Sequence, residues 1–315
     1  MLHLRLVVPA ELAEAVVELL LGYPGVAHVT VVAGAARDPV GDLIEADVVR
    51  EAVDELLDAL AEIGLPGAGA ITADHLELSI SAAADRAAAA APGSSSDSVV
   101  WAEVIRRTRE ESAVTGTFLA FLTIATVLAA IGIVLDSPIT IVGAMVVGPE
   151  FGPLAAISVG LVRRRSALVR RGLLALGIGF PLAVLVTAVG ALLARQVGLI
   201  APDALSVNPQ TEFIYEPGWF SFIVALLAGA AGMLSMTSQK AAALVGVFIS
   251  VTTVPAAGYV ALGAVLGDWN HVRGSALQLV LNLVAIVVSG LLTLAVVRRF
   301  DVFRAGRRRR VRRSS

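Results

Sequence analysis

The sequence predicts an α-helical polytopic membrane protein with about six spans and an N-terminal α+β domain. Of its 315 residues, 57% are hydrophobic, and the mean hydropathy of +0.83 is too high for a soluble protein. The apolar residues concentrate after Thr115, in stretches long enough to cross about 30 Å of hydrocarbon. The residues before that point alternate between short strand and helix patterns. A soluble head followed by a membrane domain therefore fits the whole chain.

Residues 1–81 are predicted to form a ferredoxin-like domain with the element order β-α-β-β-α-β. The predicted strands and helices are, in chain order, 2–8, 10–21, 26–32, 43–49, 51–63 and 71–80. In the first helix Leu12, Val16 and Leu19 recur at helical spacing, which gives the helix one apolar face. Tyr23–Gly25 supplies the turn residues that end it. We expect this head to be a cytoplasmic regulatory or assembly module.

Two segments connect the head to the first span. Residues 82–98 are rich in Ala, Gly and Ser, which predicts a flexible linker, although the alanine run is also compatible with a partly helical segment. Residues 99–115 place Val100, Trp101 and Val104 opposite charged side chains, which predicts an amphipathic connector helix. This pattern fits a helix at the membrane surface and a solvated connector equally well.

Six apolar stretches are predicted to cross the membrane, at residues 116–135, 138–162, 172–194, 218–236, 241–266 and 275–297. Arginines cluster between the second and third spans and in the basic tail, residues 298–315, whereas the alternate loops are poor in basic residues. The positive-inside rule therefore predicts a multi-pass protein of the inner (plasma) membrane with both termini in the cytoplasm. A basic tail behind a span contacts anionic lipid headgroups more often than nucleic acid, so no nucleic-acid partner is expected.

The second span is the most unusual part of the sequence. Between Asp136 and Leu154 it carries three prolines, three glycines and one acid, Glu150. Hydrocarbon supplies no partners for a carboxylate or for backbone groups that proline leaves without a hydrogen bond. We therefore expect a broken helix here, and we expect it to line a cavity enclosed by protein.

The fifth predicted span contains a similar interruption. A glycine precedes Pro255 by about ten residues, as Gly143 precedes Pro153, and a short polar cluster precedes each glycine. Three spans separate the two units, so matching segments would cross in opposite directions, as in the inverted repeats of transporters. The pattern favours a 3+3 inverted repeat. The alternative is chance similarity, because Gly and Pro are common in membrane helices and apolar sequence aligns easily with itself.

Glu150 is the only acid predicted to lie deep in a span. A carboxylate there costs roughly 3 kcal/mol unless it is paired or protonated, so Glu150 is a candidate for proton exchange or cation binding. The alternative is a structural role, as a neutral acid or in a pair with a basic group near Arg163. Backbone carbonyls freed by proline and nearby polar side chains would complete a solute or ion site, although each hydroxyl more often bonds its own helix. The other candidates are Gly148, Pro149, Gly152, Pro153, Gly143, Ser137, Ser238, Thr252, Thr253, Pro255 and Asn282.

The stretch Gly132–Met145, continued by Gly148–Pro153, resembles the signature of an uncharacterised bacterial and archaeal family of hydrophobic membrane proteins, the domain of unknown function 389. Many members of that family have Ser-Pro-Leu-Met-Gly-Pro where this chain has Gly148–Pro153, so Glu150 stands at an otherwise apolar position. The resemblance covers roughly residues 109–297 and extends to the head. Because the family has no established activity, the resemblance implies an architecture and no particular reaction.

The sequence also argues against several kinds of chemistry. No cysteine is present, and the four histidines lie outside the predicted spans at spacings that do not suggest a metal site. Nucleophile and phosphate-loop motifs are absent, so we expect no catalytic residues, no cofactor and no enzyme activity. The leading hypothesis is a homo-oligomeric transporter or channel-like carrier for a small solute or ion. The alternative is a membrane sensor or scaffold that transports nothing and whose head binds a ligand or partner.

Overall fold

The computed structural model describes residues 1–91, 99–201, 204–205, 219–237 and 253–312, with the backbone alone for residues 220 and 300–312. The chain forms two compact units. One comprises Met1–Glu103 with Asp301–Ser315, and the other comprises Val104–Phe300.

The first unit contains a four-stranded antiparallel sheet. Its strands are β1 (Leu2–Val8), β2 (Val26–Arg37), β3 (Val40–Val48) and β4 (Ala70–His75), in the spatial order β2-β3-β1-β4. Its two longer helices are α1 (Ala10–Gly22) and α2 (Arg50–Glu62), and the short α3 (Leu65–Ala68) precedes β4. The predicted β-α-β-β-α-β order is therefore present, with one added turn of helix.

Alternation along β1 explains why the sheet has one buried face. Leu2, Leu4 and Leu6 are buried, and the residues between them are not. The last strand is shorter than the predicted 71–80. His75 pairs with Leu2, the first residue of β1, so the chain beyond His75 has no partner strand, and Ile80 is 87% exposed.

The alanine-rich segment after the sheet is helical where a flexible linker was predicted. Residues Ala82–Ala90 form α4, and the hydroxyl oxygen of Ser81 accepts a hydrogen bond from the Ala83 N–H at 3.1 Å. Ala84 and Ala87 are buried. Alanine has the highest helix propensity, and a buried face adds packing to it, which explains the helix. Residues 92–98, the rest of the predicted linker, lie outside the described residues.

The predicted connector forms α5 (Trp101–Glu111). Its first N–H, at Trp101, donates to an Asp54 carboxylate oxygen at 2.9 Å. Two ion pairs at i,i+4 spacing run along its charged side, Arg106 with Glu110 at 2.9 Å and Arg107 with Glu111 at 2.7 Å. The amphipathic pattern is therefore used in a helix that has one buried and one charged side.

The second unit consists of apolar helices. They are α6 (Gly116–Val134), α7 (Pro138–Val147), α8 (Phe151–Val162), α9 (Ser166–Gln196), α10 (Trp219–Thr237), α11 (Val254–Leu266) and α12 (Trp269–Arg312), of which the part up to Phe300 belongs to this unit. Within the described ranges, three helices are long and apolar enough to cross a membrane, or four if α7 and α8 form one bent span. Two further apolar helices, the Ser221–Thr237 part of α10 and α11, are shorter than these candidate spans. These helices indicate a membrane protein, and the six predicted spans stay a prediction.

The helices α7 and α8 are bent by 52° at a three-residue break. Gly148 has φ −65° and ψ 124°, the extended conformation that a following proline favours. Pro149 has no N–H to donate to the preceding turn, so α7 cannot continue through it. The break therefore lies in the segment where the sequence predicted a broken helix.

Small residues allow the helices of this unit to approach closely. A Cβ added to Gly179 on α9 would lie 2.8 Å from Leu122 and 3.0 Å from Phe118, both on α6. A Cβ on Gly258 of α11 would lie 3.2 Å from the backbone N of Ala130, also on α6. The helix α6 therefore packs against both α9 and α11, and glycine or alanine at the contacts sets the short distances.

The α8–α9 turn and the α11–α12 turn have the same hydrogen bond and the same close glycine contact. Arg165 N–H donates to the Gly160 carbonyl at 2.7 Å, and Asp268 N–H donates to the Gly263 carbonyl at 2.9 Å. A Cβ on either glycine would lie 3.1 Å from the carbonyl oxygen of the same partner, Arg165 or Asp268. Two separate parts of the sequence therefore build one turn geometry.

Candidate functional site

The beginnings of α8 and α11 meet at a hydrogen bond between two buried side chains. Thr253 Oγ1 donates to Glu150 Oε1 at 2.6 Å, and neither residue has any exposed surface. Glu150 immediately precedes α8, and its carbonyl accepts from Leu154 N–H at 3.3 Å. Thr253 immediately precedes α11, and its carbonyl accepts from Ala257 N–H at 3.1 Å. The two residues occupy the same position at the start of their helices.

The side chains of both residues bond across the two helices. A residue at this position usually accepts a hydrogen bond from an N–H in the first turn of its helix. Neither Glu150 nor Thr253 makes such a capping bond. Ser137, by contrast, caps α7 in the usual way by accepting from Thr140 N–H at 3.3 Å. The Glu150 and Thr253 side chains therefore link two helices instead of terminating one each.

The electrostatic setting suits a negative charge at Glu150. The N-terminal end of a helix carries a partial positive charge, which favours nearby anionic groups. Here the ends of α8 and α11, helices of 12 and 13 residues, lie at one carboxylate. A charge-assisted hydrogen bond from Thr253 adds to this. The site therefore gives the buried carboxyl group of Glu150 a hydroxyl partner at the start of a second helix.

The first turn of α8 lies against the last residue of α5. A Cβ added to Gly152 would lie 2.6 Å from Glu111 Cβ and 2.7 Å from the Glu111 carbonyl oxygen. On the next residue, the Pro153 carbonyl oxygen would lie 2.5 Å from a Cβ on Gly172 of α9. Gly152 and Gly172 are therefore close-packing positions around the start of α8. The sequence did not single out Glu111 or Gly172, because both lie outside the interrupted span.

The structure places the other predicted site residues in several surroundings. Gly148 and Pro149 form the break beside Glu150, and Pro255 lies in the first turn of α11. Gly143 is exposed on α7, with open space where a Cβ would be. Asn282 is buried on α12. Ser238 and Thr252 lie outside the described residues. Of the predicted set, the hydrogen bond joins Glu150 and Thr253.

Glu150 and Arg163 lie at opposite ends of α8, since Glu150 precedes that helix and Arg163 follows it. A helix of 12 residues is about 18 Å long. The alternative structural roles, as a neutral acid or in a pair with a basic group near Arg163, stay predictions.

Other buried hydroxyls of the helical unit show the ordinary structural role. Ser158 Oγ donates to the Leu154 carbonyl at 3.1 Å, one turn back on α8. Thr126 does the same to Leu122 at 2.8 Å on α6. Thr253 differs from both, because it donates to a carboxylate on another helix. Among the described residues, no group of three or more His, Asp or Glu side chains could hold a metal ion.

Comparison with known proteins finds similarity to an uncharacterised family. Residues 145–288 match the family model described as Domain of unknown function (DUF389), as the resemblance in the sequence predicted. The matched range includes both Glu150 and Thr253. An uncharacterised protein of Methanocaldococcus jannaschii, MJ0678, is 26% identical over 173 residues, which are 55% of this chain and 52% of that protein. The match therefore spans about half the length of this relative. No solved structure matches the chain.

Proposed function

We propose that this protein is a secondary transporter or channel-like carrier for a small solute or ion. The family model that residues 145–288 match, Domain of unknown function (DUF389), assigns no activity, so the proposal is argued from the geometry. The observation that carries the proposal is the hydrogen bond between Glu150 and Thr253, at the meeting point of two helix starts. Transporters bind their substrates where interrupted helices meet, because such helices direct backbone groups into a protein-enclosed site. A structural scaffold has no need of a buried acid there.

We infer that the helical unit is a repeat of two similar halves. The helices α10, α11 and α12 each begin 103 positions after α6, α8 and α9, respectively. The lengths of α6 and α10 are the same, at 19 residues. Just before α9 and α12, Arg164 and Gly267 both have a positive φ, of 53° and 81°, and they too are 103 positions apart. The shared turn geometry of Gly160 and Gly263 follows the same spacing.

Glu150 and Thr253 are also 103 positions apart, so the repeat would pair each with the other across its axis. In this alignment Pro153 and Pro255, which first suggested the repeat, are one position out of register. With three spans in each half the repeat is inverted, and the six spans include α10 and a fifth span at 241–266. The proposed site therefore lies between the two halves, between broken spans two and five.

In this proposal Glu150 couples transport to proton or cation binding. A carboxylate enclosed by protein and held at two helix ends changes its interactions when it takes up a proton or a cation, and the hydrogen bond from Thr253 then loses its charged acceptor. Such a change at the meeting point of two half-helices would favour one arrangement of the halves over another. Glu150 is thus the proposed coupling residue and Thr253 its partner.

We also infer that the head is a ferredoxin-like regulatory or assembly domain of a homo-oligomer in the inner membrane, with both termini in the cytoplasm. The strand order β2-β3-β1-β4 with α1 and α2 as crossovers supports the fold assignment. The arginines at 163–165 support the orientation, because basic residues favour the cytoplasmic side.

Proton flux into liposomes tests the proposed function. Purified protein is reconstituted with a pH-sensitive dye trapped inside, and a pH gradient is applied in the presence of single salts or metabolites. We expect the wild type to show solute-dependent proton flux. The flux of Glu150→Gln should be at least about tenfold slower, which corresponds to about 1.4 kcal/mol in activation free energy. Ser158→Ala, which removes a buried hydroxyl from the same helix, should stay within about twofold of the wild type.

The alternative of a sensor or scaffold predicts a different result. Neither the wild type nor Glu150→Gln would then carry flux with any solute. A solute that raises the melting temperature would raise it equally in both proteins, because binding would occur elsewhere. That outcome would overturn the transport proposal.

A further inference from the structure

We propose that the head carries a catalytic site in which Ser81, His28 and Asp47 act as nucleophile, general base and orienting carboxylate in the hydrolysis of small carboxylic esters. This activity is separate from transport, because all three residues belong to the first unit. The sequence predicted no catalytic residues, because these three are far apart in the chain and share no local motif.

Two hydrogen bonds join the three side chains. Asp47 Oδ2 lies 2.6 Å from His28 Nδ1, and His28 Nε2 lies 2.7 Å from Ser81 Oγ. An ionised carboxylate can only accept, so His28 Nδ1 carries the hydrogen of this bond, and Nε2 of the neutral ring is then an acceptor. The Ser81 hydroxyl therefore donates to His28, which is the relation between an activated nucleophile and its general base.

The carboxylate of Asp47 is itself held in place. His3 Nδ1 lies 2.7 Å from its other oxygen, Oδ1, so a histidine contacts each oxygen of Asp47. The Asp47 side chain is 14% exposed, whereas that of His28 is 36% exposed. A shielded carboxylate that fixes the tautomer of a more accessible imidazole is the arrangement that serine hydrolysis requires.

A bulge in β2 explains how His28 reaches this carboxylate. Ala27 pairs with Asp47, and Thr30 pairs with Glu45, so β2 has one residue more than β3 between these two pairs. In a regular strand the residue after Ala27 would point to the face opposite Asp47. His28 instead has a positive φ of 52°, an unfavourable conformation for a residue other than glycine. Such conformations concentrate at functional sites.

The nucleophile lies at the start of a helix. Ser81 immediately precedes α4, and its Oγ accepts a hydrogen bond from Ala83 N–H at 3.1 Å. A backbone donor at this place stabilises the negative charge that develops on the Ser81 oxygen when its proton leaves. The capping bond uses the oxygen of the hydroxyl group only, so its hydrogen stays available to His28.

The reaction needs only an ester and water. The Ser81 oxygen bonds to the ester carbonyl carbon while its proton moves to His28 Nε2. The C–O bond to the alcohol then breaks, and His28 gives the proton to the departing oxygen. Water, deprotonated by His28, attacks the acyl-Ser81 carbonyl, and the Ser81 oxygen leaves with that proton. One ester and one water thus give one alcohol and one carboxylic acid.

Hydrolysis of p-nitrophenyl acetate by the purified full-length protein tests the nucleophile. Ser81→Asn removes the hydroxyl and keeps a residue that caps helices well, so the start of α4 should stay folded. We expect this variant to hydrolyse the ester at least about 100-fold more slowly than the wild type. Ser79→Ala, two residues earlier, is the control and should stay within about twofold. A wild type no faster than Ser81→Asn would overturn the proposal.

The general base needs its own control, because any exposed imidazole hydrolyses activated esters slowly. His28→Asn is compared with His75→Asn, which removes an exposed histidine at the end of β4. Asparagine tolerates a positive φ, so the bulge should persist in the first variant. We expect His28→Asn to be at least about 100-fold slower than the wild type and His75→Asn to change the rate less than about twofold. Equal effects of the two changes would count against a specific base.

Trapping the acyl group identifies the reacting atom directly. The protein is quenched in acid during turnover, and mass spectrometry of its peptides should find the acetyl group on Ser81 in the wild type and in Ser79→Ala. An acetyl group on other residues alone would overturn the site. Ser81→Asn should keep the solute-dependent proton flux of the wild type, so failure of this proposal and failure of the transport proposal are distinguishable.

Discussion

Glu150 owes its position to two parts of the chain. Thr253 supplies its hydroxyl donor, and the break at Gly148 and Pro149 puts it at a helix start. The acid itself was predictable, because a charge in an apolar stretch is conspicuous. Thr253 was among the predicted candidates for the same site, but its hydrogen bond to Glu150 was not predicted, because that contact depends on how the two helix starts pack. The hydroxyl of Thr253 looked like any other hydroxyl in a membrane helix.

The space at Gly152 gives a prediction about stability. Gly152→Ala places a methyl group 2.6 Å from Glu111 Cβ and 2.7 Å from a backbone oxygen, so we expect a loss of about 1 to 3 kcal/mol in unfolding free energy. Gly143→Ala is the matched control, because Gly143 lies on α7 with open space around it. Alanine should leave that position unchanged or stabilise it by up to about 1 kcal/mol. Thermal unfolding in detergent measures both, and equal effects would contradict the close contact.

At the scale of elements, the turns of the helical unit depend on polar contacts as much as on apolar packing. The α11–α12 turn is an example. The Asp268 carboxylate accepts from His271 N–H at 3.2 Å and lies 2.7 Å from His271 Nδ1. Burial raises the pKa of Asp268, but the hydrogen bonds from His271 outweigh it and hold the pKa below the usual 3.8. The ionised form therefore stabilises the start of α12.

This shift predicts how the turn responds to acid. Because the folded-state pKa of Asp268 is the lower one, its contribution to stability is complete above pH 3.8 and is lost as the pH falls through the folded-state value. Asp268→Asn should have a lower melting temperature than the wild type at neutral pH. This difference in melting temperature should shrink as the pH falls below 3.8. Melting temperatures between about pH 3 and pH 7 measure it. A difference that stays constant over this range would count against an ionised cap.

Element boundaries show what a single sequence can and cannot predict. The helix-ending residues and the alternating pattern gave β1, α1 and α2 within about two residues, which is the usual error at helix ends. The end of β4 was missed because it depends on where β1 begins, a tertiary fact. The alanine helix α4 was missed as a firm prediction because its stability depends on Ala84 and Ala87 packing in the head unit.

For the whole molecule, the open question is how the helices cross the membrane. Apolar composition predicts the membrane class, and the spacing of prolines predicted one break that the structure contains. The number of spans could not follow from composition, because α11 and the Ser221–Thr237 part of α10 are apolar but shorter than the candidate spans. An inverted repeat would settle the crossing directions, since equivalent helix ends must then face opposite sides.

The absence of cysteine makes that arrangement directly measurable. Gly116→Cys and Trp219→Cys introduce single thiols at the starts of α6 and α10, at exposed positions. In an inverted repeat these two starts lie on opposite sides of the membrane. A thiol reagent that cannot cross the membrane should label position 219 in intact cells and position 116 only after the cells are opened. Labelling of both positions in intact cells, or of neither position until the cells are opened, would rule out the inverted arrangement.

The helix α4 also decides where the head can be separated from the rest of the chain. Ala87 and Ala91 are part of the same apolar core as the sheet, and a Cβ on Gly25 would lie 3.4 Å from Ala91 Cβ. A gene fragment ending at residue 81, the boundary that composition suggests, would remove these side chains and uncover the surface they fill. The smallest autonomous unit to express for ligand screening therefore extends at least to Ala91.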